Sequence, residues 1–278
     1  MTSSSWFVLY APVFGALGAI FGSFLNVCIS RWPKDESVIR PRSRCPGCGG
    51  GIAWYDNVPV VSWLVLRGRC RTCAERISMQ YPLVEAATAA MWVGALWLLG
   101  PTVLAVRLAV AATILLGIAV TDAQSYLIPD GFTISGLVLA LAGAVAGAVL
   151  GDQLPFAGPW ESLLGACTGA GAITIIGWLG EVALKKEAMG YGDATLMAFV
   201  GALVGPVRSL LCIFVGAALA ASAFLLVVYP IVRWRAHRAG KEFEAPLVPF
   251  GVFLAPAAIV TLLFGNALLS WYVGRVLG

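Results

Sequence analysis

Residues 103–122 read VLAVRLAVAATILLGIAVTD, an apolar run broken by one charge, Arg107, and closed by an aspartate. About 20 mainly apolar residues cross the hydrocarbon core of a bilayer as a helix, so this stretch reads as a membrane span. Asp122 then stands where the carbonyl end of the helix dipole meets the membrane boundary, a costly position for a negative charge. That cost marks Asp122 as a candidate functional group.

The rest of the chain agrees with a membrane reading. Its 278 residues are 60% hydrophobic and 12% charged, with a mean hydropathy of +0.89, far from the roughly 25% charged residues of a soluble domain. Further candidate spans lie at 7–27, 82–99, 132–150, 162–183, 194–204, 209–229 and 249–273. With 103–121 they make eight. The span 194–204, bounded by Gly192-Asp193 and Gly205-Pro206, is short for a full crossing unless the bilayer thins or the preceding loop dips in. Gly-x-x-x-Gly pairs at Gly143 and Gly147, Gly165 and Gly169, and Gly201 and Gly205 predict close helix packing in lipid rather than ligand loops.

No basic segment precedes the first apolar run and no small-residue cleavage site follows it, so a retained helix with an outward N-terminus is expected. With that start, fifteen of the eighteen Lys and Arg residues fall on the cytoplasmic side, leaving Arg107, Arg208 and Arg275 outward. The connections after Asp122 and before Asp193 then share the cytoplasmic face. The loop 29–81 alone carries nine basic residues against Asp35, Glu36, Asp56 and Glu75, which suits contact with anionic lipid headgroups.

That loop also carries Cys45-Pro46-Gly47-Cys48 and Cys70-Arg71-Thr72-Cys73. Two C-x-x-C knuckles at slightly more than zinc-ribbon spacing point to a tetrahedral zinc site. A polar loop of this size cannot bury enough apolar surface to fold unaided, whereas a structural metal supplies folding free energy. A redox or disulfide pair is the competing reading, and the expected reducing compartment argues against it. Four sulfur ligands leave no open position for catalysis by the metal. Cys28, Cys167 and Cys212 lack partner spacing and read as small hydrophobes.

Most acids have ordinary expectations: Glu85 in the first turn of a helix, Glu181 paired with Lys185 four residues on, Asp152 and Glu161 in a short outer loop, and Asp130 an N-cap after Pro129. Asp193 closes Gly190-Tyr191-Gly192-Asp193 and alone would read as an N-cap. Together with Asp122 on one membrane face it is more specific. Two carboxylates sharing a site can hold one proton between them, one acting as acid while the other deprotonates water, as in aspartic proteases. The helix ends suggest Asp122 as holder of the proton and Asp193 as base. The only histidine, His237, lies in a basic loop, which excludes a Ser-His triad or a histidine-rich metal site near these acids, and no Walker or dinucleotide motif is present.

At these residues the chain resembles the bacterial prepilin leader peptidases, membrane aspartic endopeptidases with a Gly-x-Gly-Asp motif. The likeness runs in order through residues 22–33 (GSFLNVCISRWP), 54–63 (WYDNVPVVSW), 66–70 (LRGRC), 81–85 (YPLVE), Asp122 to Ile128-Pro129-Asp130, Gly190 to Asp193, and 249–256 (PFGVFLAP). Thr121 and Val252 depart from the usual family residues without removing a reactive group.

The resemblance implies that Asp122 and Asp193 are the catalytic acids, cleaving type IV prepilins or type II secretion pseudopilins after a glycine that ends a short basic leader. It also implies N-methylation of the new amino terminus with S-adenosylmethionine, supported by the intact Cys45, Cys48, Cys70 and Cys73. The fold expected is an all-α polytopic membrane protein of about eight transmembrane helices with a small cytoplasmic zinc-ribbon-like loop domain. Its parts are a first helix (1–28), a four-cysteine domain tied to methyl transfer (29–81) and a transmembrane peptidase domain (82–278). The expected place is the bacterial inner membrane, with prepilins and lipids as partners and no nucleic acid. A proton- or cation-relaying transporter would need acids near the bilayer midplane. A scaffold leaves Asp122 unexplained, and a presenilin-like protease shares the Gly-x-Gly-Asp element but not the cysteine loop.

Overall fold

The computed structural model describes residues 3–151, 154–185, 189–239 and 248–276. The chain is all-α. Its helices are α1 (Ser3–Arg31), the single short turn α2 (Val61–Val65), α3 (Gln80–Leu99), α4 (Val103–Ser125), α5 (Asp130–Leu150), α6 (Pro159–Leu184), α7 (Tyr191–Val204), α8 (Pro206–Ala223), α9 (Tyr229–Ala239) and α10 (Gly251–Val276). A π-helical turn, Phe224–Val228, joins α8 to α9 without a break. Seven helical stretches among the described residues are long and apolar enough to cross a membrane, and α7 is the shorter apolar helix. The eight candidate spans each coincide with one of these.

The chain divides into two compact units, 1–117 and 118–278. In the first, α1 and α3 pack closely because glycines face the contact. A side chain at Gly18 would meet the Ala89 Cα at 2.7 Å, and one at Gly22 the Glu85 Cα at 2.8 Å. Trp92 fills the seam, stacked on Phe21 with centroids 4.9 Å apart and donating its indole N–H to Thr113. Asn26 Nδ2 donates to the carbonyls of Gly22 and Tyr81, tying the end of α1 to the start of α3.

Between α1 and α3 the two cysteine knuckles are one motif built twice. Cys45 N–H donates to Gly50 and Gly49 N–H returns to Cys45; Cys70 N–H donates to Glu75 and Ala74 N–H returns to Cys70. Isolated antiparallel bridges, Arg44 with Gly51 and Arg69 with Arg76, close each loop at matching positions. The equivalent residues Gly49 and Ala74 both take positive φ, +68° and +59°, so the second knuckle accepts a strained alanine where the first has the residue suited to that conformation.

Glu85 departs from its expected place in the first turn. It is the sixth residue of α3, buried, and accepts the Val60 N–H at 2.7 Å. Val60 is a β-branched residue at φ +60°, so the carboxylate holds the loop in a conformation it would otherwise avoid.

In the second unit α7 forms the core. Leu196, Met197, Phe199 and Val200 are fully buried, with α5 and α6 packed closely around them. Gly165 and Gly201 oppose each other so tightly that a Cβ on either would overlap the other's carbonyl, and Gly169 lies likewise against Met197. This is the close packing expected of those pairs. The short α7 ends without exposing its last carbonyls. Ser162 Oγ donates to Ala202, the Ala157 N–H to Leu203, and the buried Arg208 guanidinium to Val204 and Pro155. A helix can stop inside an apolar layer when such groups are satisfied by protein.

Candidate active site

Asp122 lies in the last turn of α4, 5% exposed. Its carboxylate accepts the Val252 N–H at 3.1 Å, from the first turn of α10. Asp193 is the third residue of α7. Its carboxylate reaches back to the Gly190 N–H at 3.3 Å, closing a capping turn in which Gly190, not Asp193, is the N-cap. The two carboxylates are near enough for their charges to interact.

Ile128 and two glycines set the spacing. A Cβ at Gly192 would meet the Ile128 Cβ at 2.8 Å; one at Gly251 would meet Asp122 Oδ2 at 2.9 Å and Ile128 Cδ1 at 3.0 Å. The Ile128 side chain is thus wedged between the start of α7 and the start of α10, and a side chain on either glycine would force a neighbour to shift. Three segments far apart in sequence, one with Asp122 and Ile128, one with Gly192 and one with Gly251, converge on one spot.

This arrangement removes the basis for distinguishing the two acids by helix ends. Asp122 does lie in the last turn of α4, but it also faces the amide end of α10, while Asp193 faces that of α7. Both carboxylates therefore receive an N-terminal backbone donor. Asp130 opens α5 as its first residue behind the N-cap Pro129, with no side-chain cap bond, so the expected N-cap role is not observed. Glu161 belongs to the first turn of α6, where it accepts the Gly158 N–H, rather than to a loop. Asp152 lies outside the described residues. His237 is on α9, away from the motif-bearing segments in sequence.

The four cysteines form a second site in the first unit. Their sulfur atoms all lie within 4.8 Å of one another, and Cys45 and Cys73 Sγ are 3.6 Å apart. Tetrahedral zinc with Zn–S bonds of about 2.3 Å places its sulfurs about 3.8 Å apart, so the quartet can hold a metal ion of that kind. The backbone N–H groups of Cys73 and Thr72 pull the Cys70 thiol down to about 6, toward the thiolate that a metal requires. Cys73, lowered by the Glu75 N–H, is nonetheless pushed up to about 12 by burial and the other three sulfurs. A cation at the centre reverses that penalty. Beside the quartet, Arg71 forms a bidentate pair with Asp56, holding its carboxyl below the usual range.

Two family descriptions match the chain: Bacterial Peptidase A24 N-terminal domain over residues 16–99, and Type IV leader peptidase family over residues 109–227. Curated relatives agree. A prepilin leader peptidase/N-methyltransferase of Burkholderia pseudomallei is 35% identical over 90% of this chain and 84% of its own length. The chain belongs to the type IV leader peptidase family. Relatives of the same name from Aeromonas hydrophila (33% identical, 97% of this chain and 96% of the relative) and Myxococcus xanthus (38%, 73% and 60%) extend the match. The chain thus spans about three fifths of the Myxococcus leader peptidase and nearly all of the Aeromonas one. No solved structure shows significant similarity. Within the leader peptidase family match, residues 109–227 include both Asp122 and Asp193.

The sequence alone did not reveal the Ile128 wedge or the role of Gly251. The Pro249-Phe250-Gly251 motif was visible, but not that its glycine lies against Asp122. Glu85 carries no such signal in the sequence, where carboxylates near helix starts are common, and only the fold shows that it holds Val60.

Proposed function

We propose that this chain is a membrane aspartic endopeptidase that removes the short basic leader of type IV prepilins or type II secretion pseudopilins after a glycine. It works in the bacterial inner membrane with its carboxylates at the cytoplasmic face, and methylates the amino terminus it exposes. The observation that carries the cleavage reading is the convergence of Asp122 and Asp193 on the Ile128 wedge, each held by a helix-start N–H.

With one proton between them, the ionised carboxylate takes a proton from water while the resulting hydroxide attacks the glycyl carbonyl carbon. The protonated carboxyl hydrogen-bonds the carbonyl oxygen as negative charge develops there. On collapse the C–N bond breaks and the departing amine takes a proton from a carboxyl group, restoring the singly protonated pair. Val252 and Gly190 N–H groups fix the carboxylate orientations through the cycle. The apolar substrate segment stays in lipid and its basic leader in the cytosol, which brings the scissile bond to the boundary where Asp122 sits.

Cys45, Cys48, Cys70 and Cys73 would hold a structural zinc ion, which supplies folding free energy to the loop. S-adenosylmethionine would donate the methyl group. The basic loop 29–81 is suited to lipid headgroups rather than nucleic acid, since it lies next to spans on both sides. The test is co-expression with an epitope-tagged prepilin, following leader removal by mass spectrometry. Asp122→Asn and Asp193→Asn should each abolish cleavage in folded protein, and wild-type product should gain a methyl mass. Cleavage persisting in either variant refutes the assigned pair.

A further inference from the structure

A groove of about 220 Å³ lies beside the Gly190–Asp193 turn. Its walls are Ile173, Gly177, Trp178 and Glu181 from α6, and Tyr191 and Ala194 from α7. Trp178 is 61% and Tyr191 79% exposed, so two accessible aromatic side chains line it. Glu181 is exposed at the end of α6. The expected pairing with Lys185 is not what the structure shows: Lys185 uses its backbone N–H to bond the Glu181 carbonyl, adopting φ +53° at the helix end. Among the described residues the one ion pair is Arg71 with Asp56.

A carboxylate that shares a groove with two exposed aromatic side chains suits an ammonium or guanidinium group, which it meets by charge-assisted hydrogen bonds and ring-face attraction. The groove is also next to the reacting atoms in the chain, because Tyr191 lies in the turn that Asp193 closes by accepting the Gly190 N–H. Its other end, at Ile173 and Ala194, is apolar. A substrate with cationic residues just before an apolar helix matches that gradient.

We propose that this groove is the leader subsite, with Glu181, beside the aromatic side chains of Trp178 and Tyr191 that line the same groove, binding a Lys or Arg side chain on the amino side of the scissile bond. The proposal rests on the peptidase reading above and names the part of its substrate that this surface selects. In this role Glu181 determines specificity and takes no part in bond breaking.

The test uses the full-length protein in lipid nanodiscs with two prepilins, one carrying its basic leader and one with the leader's Lys and Arg replaced by Glu. Glu181→Lys should raise KM for the basic leader roughly fivefold with kcat unchanged, and should cleave the acidic leader faster than wild type does. Trp178→Ala should raise KM for the basic leader while keeping the wild-type charge preference. If Glu181→Lys handles both leaders with wild-type KM, or slows both equally, the subsite is refuted while the peptidase stands. If the wild-type protein cleaves neither, the peptidase reading itself falls and the subsite with it.

Discussion

Small residues at the site carry as much of the geometry as the acids do. Gly251 begins α10, has no positive φ, and is glycine because a Cβ would come within 2.9 Å of Asp122 Oδ2 and 3.0 Å of Ile128 Cδ1. A methyl group there must displace the carboxylate, the isoleucine or the start of the helix that supplies the Val252 N–H. Gly251→Ala should therefore lower kcat for leader removal at least about tenfold, since misplacement of a reacting group by an ångström costs that much or more. Thermal stability should move little, because the rest of α10 is untouched. Wild-type turnover in this variant, measured on purified prepilin, would mean that the site has more slack than the contact distances imply. Gly192 faces the same Ile128 from the opposite side, so the two motif glycines serve one packing requirement.

At the scale of elements, legibility depended on whether the signal was local. Every long apolar helix could be read from its run of residues, because length and hydropathy decide a span without help from neighbours. The knuckles were equally plain from spacing, although their backbone repeat emerged only with the hydrogen bonds. What could not be read was how α7 manages with 14 residues. The answer lies in Ala157 and Ser162, which precede its first residue by 34 and 29 positions, and Arg208, four after its last: together they satisfy its closing carbonyls. Position in the sequence puts Arg208 among the outward charges, and the fold adds that it is 9% exposed and bonded to Val204 and Pro155. Arg208→Met preserves apolar volume but strands both carbonyls away from water. Each such loss costs about 1–3 kcal/mol, so a lowered unfolding midpoint is expected in detergent. Leader removal at low temperature should persist, because no reacting group is touched. An unchanged midpoint would show that the buried backbone at the end of α7 needs no such partner.

For the whole molecule, the sequence had to settle a parity question before any paired-carboxylate chemistry was possible. Asp122 ends α4 and Asp193 begins α7, with α5 and α6 between them. Two crossings return the chain to the face it left, so the acids share a side whatever the absolute orientation. The expected orientation rests separately on the basic bias of the loops, to which loop 29–81 contributes nine Lys and Arg. These arguments fail independently, and one labelling experiment separates them. Single cysteines at Tyr126, just past Asp122 and 56% exposed, and at Lys185, just before the Asp193 turn, should react with a membrane-impermeant maleimide only after the cytosolic face is opened. A cysteine at Thr102, between α3 and α4, should react in intact cells, with the labelled peptides assigned by mass spectrometry to exclude native thiols. Inversion of all three would leave the paired carboxylates intact but turn the site outward. Positions 126 and 185 reacting from opposite faces would break the parity itself, and with it the shared-proton chemistry.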